Sequence, residues 1–464
     1  MADASSPVTL VILGASGDLT QRLLLPGLGT LLKAEPDLNL TLIGASNLDW
    51  PQEKWAELVT SALPGGGCPD ARVRQQLGAT HYVQLDVTDA TQMGEFLAGL
   101  SGQVVLYFAL PPAVTMKACE ALAHVDLPAG LRLAIEKPFG TDLASAQHFN
   151  ALLAKLVHED QIFRVDHFLG KATVLNLLGL RFANRILEPV WNSTNIERVE
   201  LISDEVLALE GRAGYYDHAG AMKDMIQSHL LLVMAMFAME EPARLDALEL
   251  RDLMVHTLRS THLWQDDPVA SSRRARYTAG TLAGRQIPSY VDEPGVDPER
   301  QTETLAEVTV EIRNSRWSGV PFRLRSGKAL GDGVRGMTVV FRPVEHQPEG
   351  FTNQAARDVL TIGMSPETLA LTLATNAEGS RWDLEQTSLA AKLGDSPIRP
   401  YGQILDGIIH GDPMLAVRGD VAEECWRILT PVVEAWADGR VPLDEYRAGS
   451  SGPKAWSAPQ GSDS

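Results

Sequence analysis

The chain has 464 residues, which exceeds the usual size of one domain and excludes a single small binding module. Its apolar fraction of 45% excludes a largely disordered chain. The formal net charge of -19, from 40 Lys and Arg against 59 Asp and Glu, repels phosphate backbones and anionic surfaces, so neither nucleic acid nor a membrane is expected as the main partner.

The first third of the chain alternates short β-rich runs with helix-like segments. The runs cover residues 8–13, 40–45, 81–87, 104–110 and 131–135. This alternation predicts an α/β domain, in which a parallel sheet is covered by helices.

The pattern changes from residue 195 onward. A run at 196–202 and a helical segment near 219–240 come first, and strand-like runs follow at 306–313, 321–324, 337–342, 359–364 and 369–374. Because loops join the later runs, we predict a mainly antiparallel sheet. Helical patterns return at 401–410 and 420–438. The expected fold class is therefore α/β plus α+β, with an N-terminal domain over residues 1–165 and a larger C-terminal domain over residues 166–464.

The start of the chain and its cysteines bear on location. The first seven residues lack a basic region followed by an apolar one, and the longest apolar stretch, around residues 230–239, is too short to span a bilayer. Cys68, Cys119 and Cys425 lie far apart and show no metal-ligand or redox spacing. We expect a cytoplasmic protein with reduced thiols and no bound metal.

A glycine-containing turn follows the first run, with the sequence Gly14-Ala15-Ser16-Gly17-Asp18-Leu19. Glycines at that junction let the start of a helix point its free N–H groups at a pyrophosphate. Two glycines do not complete the usual three-glycine fingerprint, so a plain βα turn without a ligand is the alternative. The second run ends near neutral Asn47, in the region where an acidic residue favours NAD and an arginine favours NADP. Asp49 is either an acceptor for NAD or a solvated loop carboxylate.

Two further stretches concentrate charge. Lys137 closes the fifth run within Glu136-Lys137-Pro138-Phe139-Gly140, at the end of the sheet where ligands of open α/β folds bind, although a solvated strand end would look the same. The stretch Arg164-Val165-Asp166-His167-Phe168-Leu169-Gly170-Lys171 packs two cations, a carboxylate and an imidazole into eight residues. His167 and Lys171 suit a phosphate and Asp166 suits a base that needs orienting, whereas the alternative is a surface salt-bridge patch.

His229 lies on the apolar stripe of a predicted helix. Its neighbours at α-helical spacing are apolar, so the imidazole faces inward. It is either a core histidine or a general base whose imidazolium form is stabilised by a carboxylate such as Asp166. Asp224 and Glu205 are candidates for binding sugar hydroxyls, and Lys328 is a candidate anion contact.

Four stretches occur in the order seen in glucose-6-phosphate dehydrogenases: the turn at residues 14–19, the stretches at 136–140 and 164–171, and Pro321-Phe322-Arg323-Leu324-Arg325-Ser326-Gly327-Lys328. The chain resembles that family over nearly its whole length. The resemblance implies a Rossmann-like dinucleotide-binding domain followed by a domain for substrate binding and dimerisation. It also implies oxidation of glucose 6-phosphate at C1 to 6-phosphoglucono-lactone with hydride transfer to NADP or NAD, the first step of the oxidative pentose phosphate pathway, in a homo-oligomer (dimer or tetramer).

Residue roles follow from the resemblance alone. His229 is implied as the general base and Asp166 as its orienting carboxylate. His167 and Lys171 are implied to hold the phosphate, and Glu205 and Asp224 the sugar hydroxyls. The residues implied to contact the cofactor are Gly14, Ala15, Ser16, Gly17, Asp18, Leu19, Asn47 and Lys137, and Lys137 and Lys328 are implied to bridge substrate and cofactor.

This chain departs from the family at several positions. The family often has Tyr where this chain has Phe168, which predicts weaker binding of phosphate. Many members have Arg at the position of Asn47 and Lys at those of Gln21 and Leu23, so NAD use or dual use is a hypothesis here. The other hypotheses are a dehydrogenase for a different sugar phosphate and a non-catalytic dinucleotide or sugar-phosphate sensor. Retention of Asp166 and His229 weighs against the sensor.

Overall fold

The structure is a computed structural model that describes residues 7–211, 213–394 and 396–457. Residues 1–6, on which part of the localisation prediction rests, lie outside the described residues. The chain divides into two compact units. The first contains the chain up to Leu175 with Pro242–Val255 and Ser396–Trp426, and the second contains Asn176–Glu241, residues 256–394 and the chain from Arg427. These bounds describe packing, and the functional division after residue 165 stays a prediction.

The described residues form strands and helices with the following bounds. The strands are β1 (Val8–Leu13), β2 (Leu40–Ser46), β3 (Thr80–Gln84), β4 (Gln103–Phe108), β5 (Arg132–Glu136), β6 (Ile162–Val165), β7 (Ile196–Asp204), β8 (Thr261–Leu263), β9 (Ser272–Thr278), β10 (Gly280–Leu282), β11 (Arg285–Ile287), β12 (Leu305–Ile312), β13 (Pro321–Gly327), β14 (Arg335–Phe341), β15 (Val359–Met364), β16 (Glu367–Asn376), β17 (Leu384–Lys392), β18 (Ala416–Val417) and β19 (Leu443–Arg447). The α-helices are α1 (Leu25–Ala34), α2 (Gln52–Ala62), α3 (Asp70–Leu77), α4 (Ala90–Ala98), α5 (Pro112–Leu122), α6 (Leu143–Leu156), α7 (Ala172–Phe182), α8 (Ala213–Ala221), α9 (Leu231–Ala238), α10 (Ala247–Arg259), α11 (Pro400–His410) and α12 (Gly419–Ala437). Two π-helical segments, Thr20–Leu24 and Met222–Leu230, lead into α1 and α9.

The first unit contains a seven-stranded sheet in the order β18-β6-β5-β4-β1-β2-β3. All neighbours are parallel except β18, which runs antiparallel to β6. Apolar side chains of β1 and β2 pack with those of α1 and α11 in a buried core. The helices approach closely because Gly27 lacks a side chain: a Cβ atom there would lie 2.8 Å from the Cβ of Tyr401. The predicted parallel sheet is confirmed.

The second unit contains a larger sheet in the order β17-β16-β15-β14-β7-β13-β12-β9-β19, with β8 paired to β12. Most neighbours are antiparallel, and the exceptions are the parallel pairs β7 with β13 and β9 with β19. The predicted mainly antiparallel sheet, and with it the α/β plus α+β fold class, is confirmed. Among the residues that the structure describes, no helix combines the length and the apolar character needed to cross a bilayer.

Candidate active site

The glycine turn lies where the strand order of the first sheet reverses, since β1 is flanked by β2 on one side and β4 on the other. Gly14 has φ +88°, and a Cβ atom there would lie 2.2 Å from the carbonyl oxygen of Ala109. Its N–H donates to the carbonyl of Ala45 at 2.8 Å. Only glycine fits this position without strain, so the backbone of the turn is left bare at the end of β1.

The turn leads directly into the first helical segment. The Thr20 hydroxyl donates to the carbonyl of Gly14 at 3.3 Å, which ties the beginning of the helix to the end of β1. A bare backbone followed by a helix start at the strand-order reversal fits the pyrophosphate of a dinucleotide. Residues 14–19 are therefore the part of the first unit suited to hold the cofactor.

The end of β2 is neutral, as its sequence indicated. Asn47 is exposed, and its carbonyl accepts a hydrogen bond from the side-chain amide of Gln84 at 3.3 Å. Gln21 and Leu23 are also exposed, and Arg22 between them pairs with Asp18 at 3.2 Å. The side chains at these three described positions are therefore uncharged and exposed.

The carboxyl ends of β5 and β6 bring two predicted residues to one edge of the sheet. The strands are parallel and Glu136 stands opposite Val165, so Lys137 and Asp166 follow side by side. The Lys137–Pro138 peptide bond is cis. Asp166 is buried and accepts a hydrogen bond from the N–H of Phe168 at 2.9 Å. Burial raises the pKa of Asp166 to about 6, although nearby His167 and the lysines oppose this shift.

The two predicted phosphate ligands are placed by aromatic rings. The ring of His167 stacks on Tyr401, with centroids 5.6 Å apart and planes 10° apart. It also meets the ring of Phe168 edge-on at 5.0 Å. The Lys171 ammonium lies 3.5 Å from the centroid of the Phe168 ring, within the range of a cation–π contact. The ring of Phe168 therefore places Lys171 although Phe168 lacks the hydroxyl group that a tyrosine would have.

Sequence reasoning missed the partners of Glu136. The Tyr107 hydroxyl donates to Glu136 Oε1 at 2.5 Å, and the Tyr401 hydroxyl also lowers the pKa of this carboxyl group. Loss of surrounding water raises the pKa of Glu136 to about 7, against the lowering effect of Tyr107 and Lys137. Glu136 is part of the stretch at residues 136–140 discussed above. Tyr107 lies within the apolar run at 104–110, so its sequence context did not indicate a polar contact.

In the second unit, Glu205 and Lys328 follow the ends of the parallel strands β7 and β13. Asp204 stands opposite Gly327 in the register, and the N–H of Glu205 donates to the carbonyl of Gly327 at 2.8 Å. The Lys328 ammonium donates to Glu205 at 2.5 Å, and Arg335, which the sequence analysis did not single out, donates to the other carboxylate oxygen at 2.8 Å. The pair is mostly buried, with about a fifth of each side chain exposed.

His229 and Asp224 lie on the π-helical segment Met222–Leu230. The α-helical spacing assumed for this stretch is wrong here: the N–H of Leu231 donates to the carbonyl of Ile226, five residues back. His229 is 1% exposed, so the predicted inward orientation is confirmed. The segment is anchored by Glu303, which accepts a hydrogen bond from the N–H of Met222 at 3.0 Å and whose pKa burial raises to about 7.

A small cavity in the second unit brings Asp224 and Lys328 together. Tyr215 and Tyr216 line it as well. The Tyr215 hydroxyl donates to Asp224 at 3.3 Å, and the Lys328 ammonium lies 5.0 Å from the Tyr216 ring centroid. A concave surface with a carboxylate, a cation and tyrosines suits a polar molecule rich in hydroxyl groups.

One further cluster holds potential metal ligands in the first unit. His410 Nδ1 lies 2.8 Å from Asp406 and its Nε2 lies 3.4 Å from Glu35, and all three side chains are about one-third exposed. Each ring nitrogen already faces a carboxylate, so hydrogen bonding within the cluster explains its geometry.

The features of the first unit define a class of protein. A parallel sheet in Rossmann order, a bare glycine turn at its strand-order reversal and titratable side chains at the same edge are those of a nicotinamide-dependent oxidoreductase. Residues 11–176 match the family model of the glucose-6-phosphate dehydrogenase NAD-binding domain, and residues 178–463 match the model of the C-terminal domain. The chain belongs to the glucose-6-phosphate dehydrogenase family.

Individual relatives agree over the whole length. The chain is 36% identical to glucose-6-phosphate 1-dehydrogenase of Treponema pallidum (strain Nichols), over 97% of this chain and 93% of the relative. It is similar to the crystal structure of glucose-6-phosphate 1-dehydrogenase from Mycobacterium avium, with TM-score 0.85, 32% identity and coverage of 98% and 96%. A structure of glucose-6-phosphate dehydrogenase in complex with its substrate glucose 6-phosphate matches with TM-score 0.88, 29% identity and coverage of 98% and 97%. The predicted family and enzyme class are confirmed.

Proposed function

We propose that this chain oxidises glucose 6-phosphate at C1 to 6-phosphoglucono-lactone and transfers the hydride to a nicotinamide dinucleotide. The observation that carries the proposal is the full-length similarity to a glucose-6-phosphate dehydrogenase that holds its substrate. The predicted division of roles, with a dinucleotide-binding domain over residues 1–165 and a substrate-binding and dimerisation domain over residues 166–464, is part of the proposal.

The first unit supplies the cofactor turn and the phosphate ligands. Residues 14–19 hold the pyrophosphate of the dinucleotide, which supplies the hydride acceptor when bound. His167 and Lys171 bind the 6-phosphate, and their contacts with Tyr401 and Phe168 fix both side chains before the substrate arrives. Lys137, at the end of β5, contacts both substrate and cofactor. These local cations offset the acidic net charge of the chain where an anion must bind.

The second unit supplies the groups for the sugar ring. Asp224 and Glu205 accept hydrogen bonds from the sugar hydroxyls, because both are carboxylates and Asp224 lines the small cavity. Lys328, placed by its bond to Glu205, contacts substrate and cofactor. Tyr215 and Tyr216 line the same cavity, and their hydroxyl groups are further polar contacts for a sugar.

The chemical step needs one base. His229 takes the proton of the C1 hydroxyl through a ring nitrogen, the C1–O bond becomes a carbonyl, and the C1 hydrogen leaves with its electron pair as hydride. Asp166 stabilises the imidazolium form of His229 by its negative charge. The raised pKa of Asp166, about 6, predicts that activity falls as the pH drops through 6, because the protonated carboxyl gives no such stabilisation.

The choice of dinucleotide follows from the neutral end of β2. We propose that the chain uses NAD as well as NADP, since Asn47, Gln21 and Leu23 are exposed and uncharged and Arg22 is paired with Asp18. The test compares kcat/KM for the two dinucleotides in the wild type and in Asn47→Arg. The arginine variant should gain at least tenfold in preference for NADP, and Asn47→Gln is the neutral control. An unchanged ratio would place the specificity elsewhere.

We further propose that the chain is a cytoplasmic homo-oligomer. The three cysteines, all among the described residues, are buried thiols rather than disulfides, which is typical of a reducing compartment. On the outer strands β16 and β17, Leu369, Leu371 and Leu373 are only partly buried, and Leu389, opposite Leu371, is 61% exposed. This apolar face suits a second copy of the chain. Leu371→Arg should lower the molar mass measured by light scattering, whereas Thr372→Arg should not.

The central test is His229→Asn, measured by the appearance of reduced nicotinamide and by calorimetric binding of glucose 6-phosphate. Turnover should fall by at least three orders of magnitude while binding is retained, because the amide cannot accept the proton. His346→Asn, at an exposed loop position, is the matched control and should keep full activity. A wild type that turns over another sugar phosphate but not glucose 6-phosphate would redirect the assignment, and binding without any turnover would support the sensor.

A further inference from the structure

A partly buried arrangement around Glu136 has no role in the mechanism above. We propose, building on the proposed function, that Glu136 is a positioning residue whose charge opposes the cations that bind the substrate phosphate and whose protonation follows phosphate binding. The argument rests on residues of the first unit.

Four elements meet at Glu136. It is the last residue of β5, and its parallel register with β6 puts Lys137 and Asp166 immediately beyond it. Tyr107 comes from the neighbouring strand β4, and Tyr401 comes from α11, which packs against α1 in the core. The carboxyl group is therefore fixed by the sheet and by a helix far away in sequence.

Both tyrosine hydroxyls favour the ionised form of this carboxyl group. The pKa values of Tyr107 and Tyr401 are raised, chiefly by burial, so both hydroxyls stay protonated at neutral pH. The ionised form of Glu136 accepts an O–H hydrogen bond from Tyr107 at 2.5 Å. This bond and the Tyr401 hydroxyl favour the charge, whereas burial and the neighbouring charge of Asp166 disfavour it. The balance leaves the carboxyl able to titrate near neutral pH.

Tyr401 joins this carboxyl group to a phosphate ligand. Its hydroxyl lowers the pKa of Glu136, and its ring is stacked on His167. Lys137 also acts electrostatically on both Glu136 and Asp166. The charged groups that act on Asp166 include His167, Lys137 and Lys171, and Asp166 acts in turn on Glu136, so Glu136 belongs to the same cluster of charges as the predicted phosphate ligands.

The linkage between phosphate and Glu136 has a definite sign. A phosphate dianion bound by His167 and Lys171 adds negative charge to the cluster, which disfavours ionised Glu136 and raises its pKa. Binding near pH 7 should then take up protons at Glu136. Conversely, ionisation of Glu136 as the pH rises through 7 should weaken phosphate binding.

The test measures the binding of glucose 6-phosphate by calorimetry between pH 6 and 8.5, in buffers of different ionisation enthalpy, for the wild type and Glu136→Gln. At pH 7 the wild type should take up about 0.3 to 0.5 proton more than the variant. Its dissociation constant should rise from pH 6 to 8 about threefold to tenfold more steeply than that of the variant. Titration of the phosphate group itself is common to both proteins and cancels in the comparison.

Two further variants separate charge from structure. Glu136→Asp keeps a titratable group and should keep proton uptake, and Glu120→Gln, an exposed helix position in the same unit, should behave as the wild type. Tyr107→Phe removes one donor to the charged form, so the pH midpoint of the dissociation constant should move upward by about half a unit. This variant provides the test if Glu136→Gln does not fold.

The outcomes are distinct. Failure of the wild type to bind glucose 6-phosphate would overturn the proposed function. Normal binding with equal proton uptake in the wild type and Glu136→Gln, or an unchanged midpoint in Tyr107→Phe, would overturn the role of Glu136 alone. Equal weakening of binding at every pH in Glu136→Gln would show a structural role only and would also overturn the proposal.

Discussion

Replacing Gly14 by alanine should damage the cofactor turn far more than the same change at Gly17. Gly14 has φ +88°, and such left-handed backbone costs an alanine about 1–2 kcal/mol. The new Cβ atom would also lie 2.2 Å from the carbonyl oxygen of Ala109. Moving that segment away endangers the hydrogen bond from the Ala109 N–H to Leu13, worth about 1 kcal/mol. The expected loss of stability is about 2–3 kcal/mol.

Gly17 is the matched control within the same turn. A Cβ atom there would lie 3.2 Å from the carbonyl oxygen of Gly14 and 4.0 Å from that of Ala109, without positive φ. Gly17→Ala should therefore lose less than about 1 kcal/mol. The assay is urea unfolding followed by tryptophan fluorescence, together with dissociation constants for NAD and NADP. Gly14→Ala should bind both dinucleotides at least tenfold more weakly. Equal stability and affinity in the two variants would refute the argument that the bare backbone at Gly14 shapes the turn.

Three further predictions concern single side chains. Because burial raises the pKa of Glu303 to about 7 from the 4.5 of an unfolded chain, its contribution to stability should decline as the pH rises from 4.5 to 7. The free energy of unfolding, measured in urea at pH 5 and pH 8, should therefore fall by up to about 3 kcal/mol less in Glu303→Gln than in the wild type. An identical pH dependence in the two proteins would contradict this prediction. Phe168→Leu removes the ring under Lys171 and should raise KM for glucose 6-phosphate about fivefold, whereas Phe168→Tyr should not raise it. Glu205→Gln weakens the placement of Lys328 and should lower kcat/KM at least tenfold without loss of stability, and unchanged kinetics would remove this pair from the site.

The sequence predicted well those features that depend on local pattern. Strands β1 and β15 have the bounds predicted from their apolar runs, and the helices predicted at 401–410 and 420–438 are present as α11 and α12. Lys137 was predicted as a site residue because it follows a predicted strand, and the ends of parallel strands are where ligands bind. Asp166 was predicted from the cluster of charges around it, since the strand β6 that precedes it was not among the predicted runs.

Features that depend on contacts distant in sequence were missed. Tyr107 lies within an apolar run, where a core residue and a hydrogen-bond donor look alike. Tyr401 meets His167 only because α11 packs against α1. The π-helical turn that contains His229 has five-residue spacing, which an apolar pattern of period 3.6 does not distinguish from an α-helix. The local sequence therefore indicates neither these long-range contacts nor the π-helical spacing.

Two pairs of candidate residues, one in each unit, share one structural origin. In the first sheet, the register of parallel strands β5 and β6 puts Lys137 beside Asp166. The second sheet is mainly antiparallel, yet Glu205 and Lys328 follow β7 and β13, one of its two parallel pairs. Adjacent parallel strands end at the same edge, so a carboxylate and a cation that follow them are brought together without a turn between them. An antiparallel pair would put residues that follow its two strands at opposite ends, which explains why the parallel pair supplies the ion pair of the second unit.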